Sequence, residues 1–220
     1  MAIPAHSQDI TLRRTPASEE LEVAKSRLVA RFGEGTVSHT FQEDHSERFD
    51  AYFRRCHQDS KAGHHLFKKK MNFAVLAVGG YGRKELNLHS DIDVLILFKS
   101  KIPATAKELA ADFFYPLWDL GVDLGYGVRS LKDCLSLCRD DFEVLTSLMD
   151  ARFLCGDSPT YLTLMENLHK KIVAKRAVKF IRWLEVVMLP NGYVIQELRG
   201  KGVDRVHKTL AALIEGGIVK

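Results

Sequence analysis

The stretch Asn72 to Phe98 reads NFAVLAVGGYGRKELNLHSDIDVLILF. It contains two short apolar runs, Phe73–Val78 and Ile92–Phe98, which are rich in valine, isoleucine and leucine and are bounded by glycine or polar residues. Runs of this length and composition predict buried strands. We therefore expect two neighbouring strands of one sheet, joined by a glycine-rich turn, within an α/β fold.

The turn between the two runs contains Gly79, Gly80 and Gly82. Glycine permits backbone paths that a side chain would block, and such a path leaves amide groups free to face an anion. The turn therefore predicts a place for a phosphate group.

Two aspartates, Asp91 and Asp93, stand one residue apart at the start of the second run. Side chains alternate along a strand, so both carboxylates face the same side while Ile92 turns into the core. Such a pair predicts a clamp for a divalent metal, and Mg²⁺ bound there would neutralise charge on a triphosphate. Because a third carboxylate usually completes a two-metal site, another acid is expected elsewhere in the fold.

These motifs resemble the signature of the polymerase-β-like nucleotidyltransferase superfamily, which combines Gly79-Gly80, a segment ending in Ser90, and Asp91-Ile92-Asp93-Val94. The chain resembles more closely the amino-terminal domain of bacterial PII uridylyltransferase/uridylyl-removing enzymes. This closer resemblance spans about Phe73 to Asp157 and rests on the strings GGYGRKEL, HSDIDVLIL, FFYPLWDLGVDLGYGVRSLKDCL and DDFEVLTSLMDARFLCGD.

The resemblance implies a polymerase-β-like fold, in which a small mixed sheet packs with helices and carries helical additions at both ends. It implies Mg²⁺-dependent transfer of UMP from UTP to a tyrosine of the PII nitrogen-regulatory protein, with release of pyrophosphate. Asp91 and Asp93 would bind the metal. The nucleotide-binding residues would be Gly79, Gly80, Tyr81, Gly82, Arg83, Ser90 and Arg129.

Three of these residues have structural alternatives. Arg83 would contact phosphate or pair with Glu85. Ser90 would bind the triphosphate or cap the turn. Arg129 would contact phosphate or form a salt bridge with Asp133.

The third carboxylate is sought in the segment 119–129. Val122–Val128 predicts a third strand, in which apolar residues alternate with an acid and two glycines. Asp123 is the candidate for the third catalytic carboxylate, and Asp119 is its rival. The family's GHSVR-like string differs here, because Tyr126 and Gly127 replace the histidine and the serine.

The sequence pattern divides the chain into a disordered arm (1–16), amino-terminal helices (17–70), the nucleotidyltransferase core (71–157) and a carboxy-terminal helical segment with an atypical tail (158–220). The predicted helices run from Ser18 to Gly33, Ser38 to Lys70, Pro103 to Leu120, Asp141 to Leu154 and Ser158 to Met188. Pro116 is expected to bend or interrupt the third of these. Gly121 is expected to end it.

Composition narrows the functional classes. The chain has 220 residues, a net charge of +4, four cysteines without a CxxC pair, and no apolar run long enough to span a bilayer. We expect a cytoplasmic protein with reduced thiols that binds neither membrane nor nucleic acid. Cys134 and Cys138 lie one helical turn apart but lack further ligands for a metal. The histidines of the second helix are expected to be solvated rather than metal-bound: His45, His57, His64 and His65.

Two other interpretations remain open at the level of sequence. One is a nucleotidyltransferase with another nucleotide or acceptor, related to adenylyltransferases. The other is a catalytically inactive nucleotide-binding module or truncated fragment, which the atypical tail and the missing sensing domains suggest. The chain contains no His-Asp dipeptide, so the family's phosphohydrolase function is expected to be absent. About 220 residues would not hold the family's phosphohydrolase domain and its two ligand-sensing domains.

Overall fold

Three helices precede the sheet in this computed structural model, which describes residues 14–33, 40–173, 176, 179, 180 and 183. They are α1 (Pro16–Gly33), α2 (Phe41–Asp59) and α3 (Lys61–Lys68). The predicted arm lies mostly outside the described residues, although Pro16 begins α1.

The single helix predicted from Ser38 to Lys70 is wrong, because the chain breaks at Ser60. This residue is extended, with φ −68° and ψ 116°, and its hydroxyl accepts a hydrogen bond from the Gly63 amide at 2.9 Å. The same hydroxyl donates to Asp112 at 2.6 Å. Ser60 thus caps α3 and ties the cap to a residue far along the chain.

The sheet has four strands in the order β3-β2-β1-β4. They are β1 (Phe73–Ala77), β2 (Ile92–Phe98), β3 (Leu124–Ser130) and β4 (Arg152–Gly156), and the short helix α4 (Gly79–Gly82) follows β1. Strands β1 and β2 pair antiparallel from Phe73 opposite Phe98 to Ala77 opposite Val94, so the predicted adjacency of the two apolar runs is confirmed. Strand β3 lies parallel to β2, and β4 lies antiparallel to β1. This small mixed sheet confirms the predicted fold class.

The parallel pair β2–β3 is joined by the crossover helix α5 (Ala106–Asp119), since parallel neighbours need a long connection. Pro116 lies inside this helix and does not interrupt it. Gly121 ends it, as predicted, with φ +66°. The Val122 amide donates to the Leu117 carbonyl at 3.0 Å, which closes a Schellman-type cap and delays β3 until Leu124.

The chain after β3 forms α6 (Leu131–Asp140), α7 (Phe142–Met149) and α8 (Ser158–Asn167), and Leu168–Val173 continue as a π-helix. Ser130 caps α6, because its hydroxyl accepts the Asp133 amide at 3.2 Å. The helix predicted over Asp141–Leu154 is wrong in its second half, where the chain turns into β4. Most of the predicted helix beyond residue 173 lies outside the described residues.

One face of the sheet packs against α2, α3 and α5. Ile92 is 1% exposed and points into this core, as the alternation predicted. His45 on α2 is also buried, at 2% exposure, so the expectation that it is solvated is wrong. Its ring lies between those of Phe41 and Phe49, with centroid distances of 5.8 and 5.3 Å.

The chain divides into two compact units. The first comprises Met1–Cys134 and Thr146–Thr163 and contains the sheet; the second comprises Leu135–Leu145 and Leu164–Lys220. Within the second unit, the ring of Phe180 stacks on that of Trp183 at 6.2 Å and lies 5.4 Å from that of Phe142. None of the helices in the described ranges is both long and apolar enough to cross a membrane.

Candidate active site

The glycine-rich turn lies beside Asp93 where β1 ends and β2 begins. The Val78 amide donates to the Asp93 carbonyl at 3.0 Å, which continues the β1–β2 pairing into the turn. Gly79 then adopts φ +56°, a conformation that favours glycine. A β-carbon at this position would lie only 3.2 Å from Oδ2 of Asp93. The turn and the carboxylate are therefore in direct proximity, as the motif spacing predicted.

Asp91 and Asp93 place two acidic side chains at the start of β2. Asp91 is exposed just before β2, and Asp93 is half-buried within it. Neither carboxylate forms a hydrogen bond or ion pair with another part of the chain that the structure describes. Burial raises the pKa of Asp93, and the negative charge of Asp91 raises it further. A divalent cation would relieve both effects, so the pair fits the chemistry of Mg²⁺.

Gly125 on β3 provides the space that the Asp93 carboxylate occupies. The two residues are opposite each other in the parallel register. A β-carbon at position 125 would overlap Oδ1 of Asp93, whereas one at Gly127 would come no closer than 3.5 Å to any atom. A side chain at position 127 therefore fits on steric grounds, whereas one at position 125 requires the Asp93 carboxylate to move.

The third carboxylate remains a prediction. Asp123 is exposed and directly precedes β3, and its carbonyl accepts the Ile92 amide at 2.9 Å, so its backbone lies beside that of Asp91. Asp119 ends α5 and is half-buried. Among the described residues, no three His, Cys, Asp or Glu side chains are grouped in a way that would hold a metal.

Arg83 and Ser90 make the structural contacts that were the alternatives to phosphate binding. Arg83 forms ion pairs of 2.8 Å with both Glu85 and Asp150. The Ser90 hydroxyl accepts the Asn87 amide at 3.0 Å and so caps the turn before β2. Contacts of these two residues with phosphate stay predictions.

Arg129 is half-buried, and its alternative pairing with Asp133 does not occur. Asp133 instead accepts the Ser130 hydroxyl at 2.7 Å. The Nε atom of Arg129 lies 3.7 Å from where a β-carbon of Gly127 would be, so the side chain folds back along β3. In the parallel register Asp93 lies opposite Gly125, and Leu97 lies opposite Arg129. The Arg129 side chain therefore extends along β3 in the direction of Asp93.

Tyr81 and Gly82 are both tightly packed inside the protein. The Tyr81 ring is fully buried, and its hydroxyl donates to Asp50 at 2.9 Å. A β-carbon at Gly82 would overlap the carbonyl oxygen of Asp150. The Gly82 amide also donates to the Val78 carbonyl at 3.0 Å. A nucleotide-binding role for Tyr81 or Gly82 stays a prediction.

Two further residues, which the sequence analysis did not identify, stabilise the turn through its backbone carbonyls. Arg152 on β4 donates from Nε to the Gly82 carbonyl and from Nη2 to the Tyr81 carbonyl, both at 3.2 Å. Asp50 on α2 accepts Arg152 Nη1 at 2.5 Å and Nη2 at 3.0 Å. No local motif marks either residue, because 102 positions separate them.

Residues 24–127 match the model of a family described as "Putative nucleotidyltransferase DUF294". The chain is also 41% identical over 107 residues to the bifunctional uridylyltransferase/uridylyl-removing enzyme of Vibrio parahaemolyticus, which is 49% of this chain and 12% of that protein. It is 43% identical over 108 residues to the enzyme of the same name from Cereibacter sphaeroides, again 49% of this chain and 12% of the relative. The corresponding Vibrio campbellii enzyme is 42% identical over 110 residues, which is 50% and 12% of the two chains. The resemblance inferred from the motifs is thereby confirmed, over a matched region that spans about an eighth of these relatives.

Proposed function

We propose that this chain, which carries a nucleotidyltransferase domain, transfers UMP from UTP to a tyrosine hydroxyl of the PII nitrogen-regulatory protein and releases pyrophosphate. The nucleotide and the acceptor are proposed from the likeness to uridylyltransferases. The observation that carries the proposal is the pair Asp91 and Asp93, which lies beside Gly79 with no protein cation to balance it among the described residues.

The chain's own residues would bind and orient the two substrates. Asp91 and Asp93 would hold Mg²⁺, which when bound neutralises charge on the triphosphate and on the departing pyrophosphate. The backbone amides of Gly79 and Gly80, in the first turn of α4, have no intrahelical acceptors and would donate to phosphate oxygens.

The acceptor side of the reaction is proposed for β3. Asp123 would accept the proton of the tyrosine hydroxyl while the tyrosine oxygen attacks the α-phosphorus of UTP. The new O–P bond forms as the bond to the β-phosphate oxygen breaks, and the pyrophosphate leaves with its negative charge. Arg129 would contact the phosphates from the same strand face.

The test is to incubate the protein with labelled UTP or labelled ATP, Mg²⁺ and PII protein. We expect PII to be labelled from UTP, and the label to be lost in Asp91→Asn/Asp93→Asn, because the amides lack the charge that holds the metal. The matched control is Asp59→Asn/Glu108→Gln, which removes two acidic groups from exposed helix positions and should label PII normally.

Three other outcomes would change the conclusion. Labelling that persists in Asp91→Asn/Asp93→Asn would refute the assigned site. Preferential transfer from ATP would make the chain an adenylyltransferase. If the protein binds UTP with Mg²⁺ but labels no acceptor, it is a nucleotide-binding module and not an enzyme.

A further inference from the structure

The backbone carbonyls of the glycine-rich turn accept hydrogen bonds from one side chain that is far away in sequence. Arg152 reaches from β4 to the carbonyls of Tyr81 and Gly82, with both distances 3.2 Å. Its guanidinium also lies over the Tyr81 ring, 5.4 Å from the centroid. Backbone carbonyls and amides point in opposite directions along a helical turn. A cation at the carbonyl end of α4 is therefore complementary to an anion at its amide end.

Asp50 fixes the orientation of this arginine. The carboxylate is only 4% exposed and accepts three hydrogen bonds, two from Arg152 and one from the Tyr81 hydroxyl. The fork geometry of the pair leaves Nε and the second hydrogen of Nη2 aimed at the turn. Because α2 carries Asp50 and β4 carries Arg152, the turn is clamped between two elements that are far apart in sequence.

Stability alone is a weak reason for this arrangement. A buried ion pair loses hydration on both partners, and well-packed apolar residues often stabilise a fold as much or more. What the pair supplies here is a defined path for a segment with Gly79, Gly80 and Gly82, which would otherwise have many accessible conformations. A preorganised turn binds an anion without first having to become ordered.

The other ties between α2 and this segment do not have the same effect. Lys84 pairs with Glu47 at 2.9 Å, and Gln42 donates to Asn87 at 2.9 Å. Both contacts join exposed side chains and leave the backbone carbonyls of the turn untouched. They provide matched controls, because they link the same two parts of the chain.

We propose that Asp50 and Arg152 are positioning residues, which hold the glycine-rich turn in the geometry that binds the nucleotide triphosphate. This inference rests on the proposed function, because it concerns the same site. It assigns to α2 and β4 a part in nucleotide affinity, although neither element contributes a group that would touch the substrate.

The test compares Arg152→Lys with Glu47→Gln. Lysine keeps the charge and one bond to Asp50 but lacks the planar fork that reaches both carbonyls. We expect the dissociation constant for Mg²⁺·UTP, measured by calorimetry, to rise at least tenfold in Arg152→Lys and to change less than twofold in Glu47→Gln. Hydrogen exchange of residues 79–84, measured by mass spectrometry without nucleotide, should accelerate only in Arg152→Lys.

A second variant covers the case in which Arg152→Lys does not fold. Tyr81→Phe removes one of the three hydrogen bonds that hold the Asp50 carboxylate. Because Asp50 then orients Arg152 less firmly, we expect a threefold or larger rise in the dissociation constant. An unchanged dissociation constant in a folded Arg152→Lys, or in Tyr81→Phe if Arg152→Lys is unfolded, overturns the positioning role while the proposed function stands. If the parent protein itself does not bind Mg²⁺·UTP, the proposed function fails and the positioning role falls with it.

Discussion

Asp93 combines half-burial, a neighbouring like charge and the lack of a counter-charge within the described residues. Each of these disfavours the ionised carboxylate in the folded protein. Yet the ionised form is the one that would bind a metal. The residue therefore lowers the stability of the free protein in a way that a bound cation would reverse.

We predict that Asp93→Asn is more stable than the parent at pH 7. The folded-state pKa of Asp93 is raised above 3.8, mainly by burial and then by Asp91, so the folded protein binds a proton more readily than the unfolded chain does. The favourable contribution of this group is present below pH 3.8 and is lost as the pH rises through the raised pKa. Urea unfolding between about pH 4 and pH 8 should show the advantage of Asp93→Asn growing with pH.

Asp91→Asn serves as the comparison for this measurement. It removes only the neighbouring charge and leaves the burial of Asp93 in place, so its gain in stability at pH 7 should be smaller. A destabilised Asp93→Asn at pH 7, or an advantage that does not depend on pH, would contradict the prediction.

At the scale of elements, α2 supports the candidate site from outside the sheet. It carries Asp50, and it also carries His45, whose two ring nitrogens have no hydrogen-bond partner in the described part of the chain. Burial lowers the pKa of His45, and the charge of Lys25 on α1 lowers it further. The backbone of Leu86 and Asn87 acts on this pKa in the opposite direction, but burial prevails. Protonation of the ring would place a charge between two aromatic side chains.

We predict that His45 contributes to a loss of stability below pH 6.5. Because its folded-state pKa is lower than 6.5, its contribution is fully present above that pH and is lost as the pH falls through the folded-state value. In His45→Gln, which does not titrate, the unfolding free energy should fall less between about pH 7 and pH 5 than it does in the parent. His89→Gln, at an exposed position, should keep the parent's pH dependence, and equal slopes in all three proteins would refute the role of His45.

Elements defined by local pattern could be predicted from the sequence. The apolar runs of β1 and β2, the crossover helix α5 and its end at Gly121 follow from residues that lie close together in the chain. Strand β4 was missed, because its residues continue the apolar pattern of α7 and become a strand only through pairing with β1. The break at Ser60 was missed because part of its stabilisation comes from Asp112, 52 positions away.

The same division applies to the site. Gly79, Asp91 and Asp93 lie within one motif, and their proximity was predicted. The clamp of Asp50 and Arg152 depends on the packing of α2 and β4 on either side of the turn, which no local spacing reveals. The burial of His45 was missed for a similar reason, since a polar helix gives little sign of which face packs.

On the scale of the whole molecule, all four cysteines are buried. Burial raises the pKa of Cys56 and of Cys155 to about 12 in each case. Thiols of this kind are poor nucleophiles at neutral pH, because the thiolate is the reactive form. We therefore expect these thiols to be unreactive in the folded protein.

We predict that no thiol of the native protein reacts readily with Ellman's reagent at pH 8, and that all four react after unfolding in guanidinium chloride. The absorbance of the released thiolate gives the count directly. The unfolded sample is the control for the total. Rapid reaction of even one thiol in the native state would contradict the burial described for these residues.

Gly125 has a consequence that reaches beyond this chain. Its missing side chain leaves the room in which the Asp93 carboxylate lies, so the two positions are one steric unit although they belong to different strands. A homologous sequence that keeps both aspartates but has a larger residue at this glycine would have to move its second carboxylate. Inspection of that single position in sequences alone would therefore distinguish chains that can keep the second carboxylate in this position from chains that have only the aspartate motif.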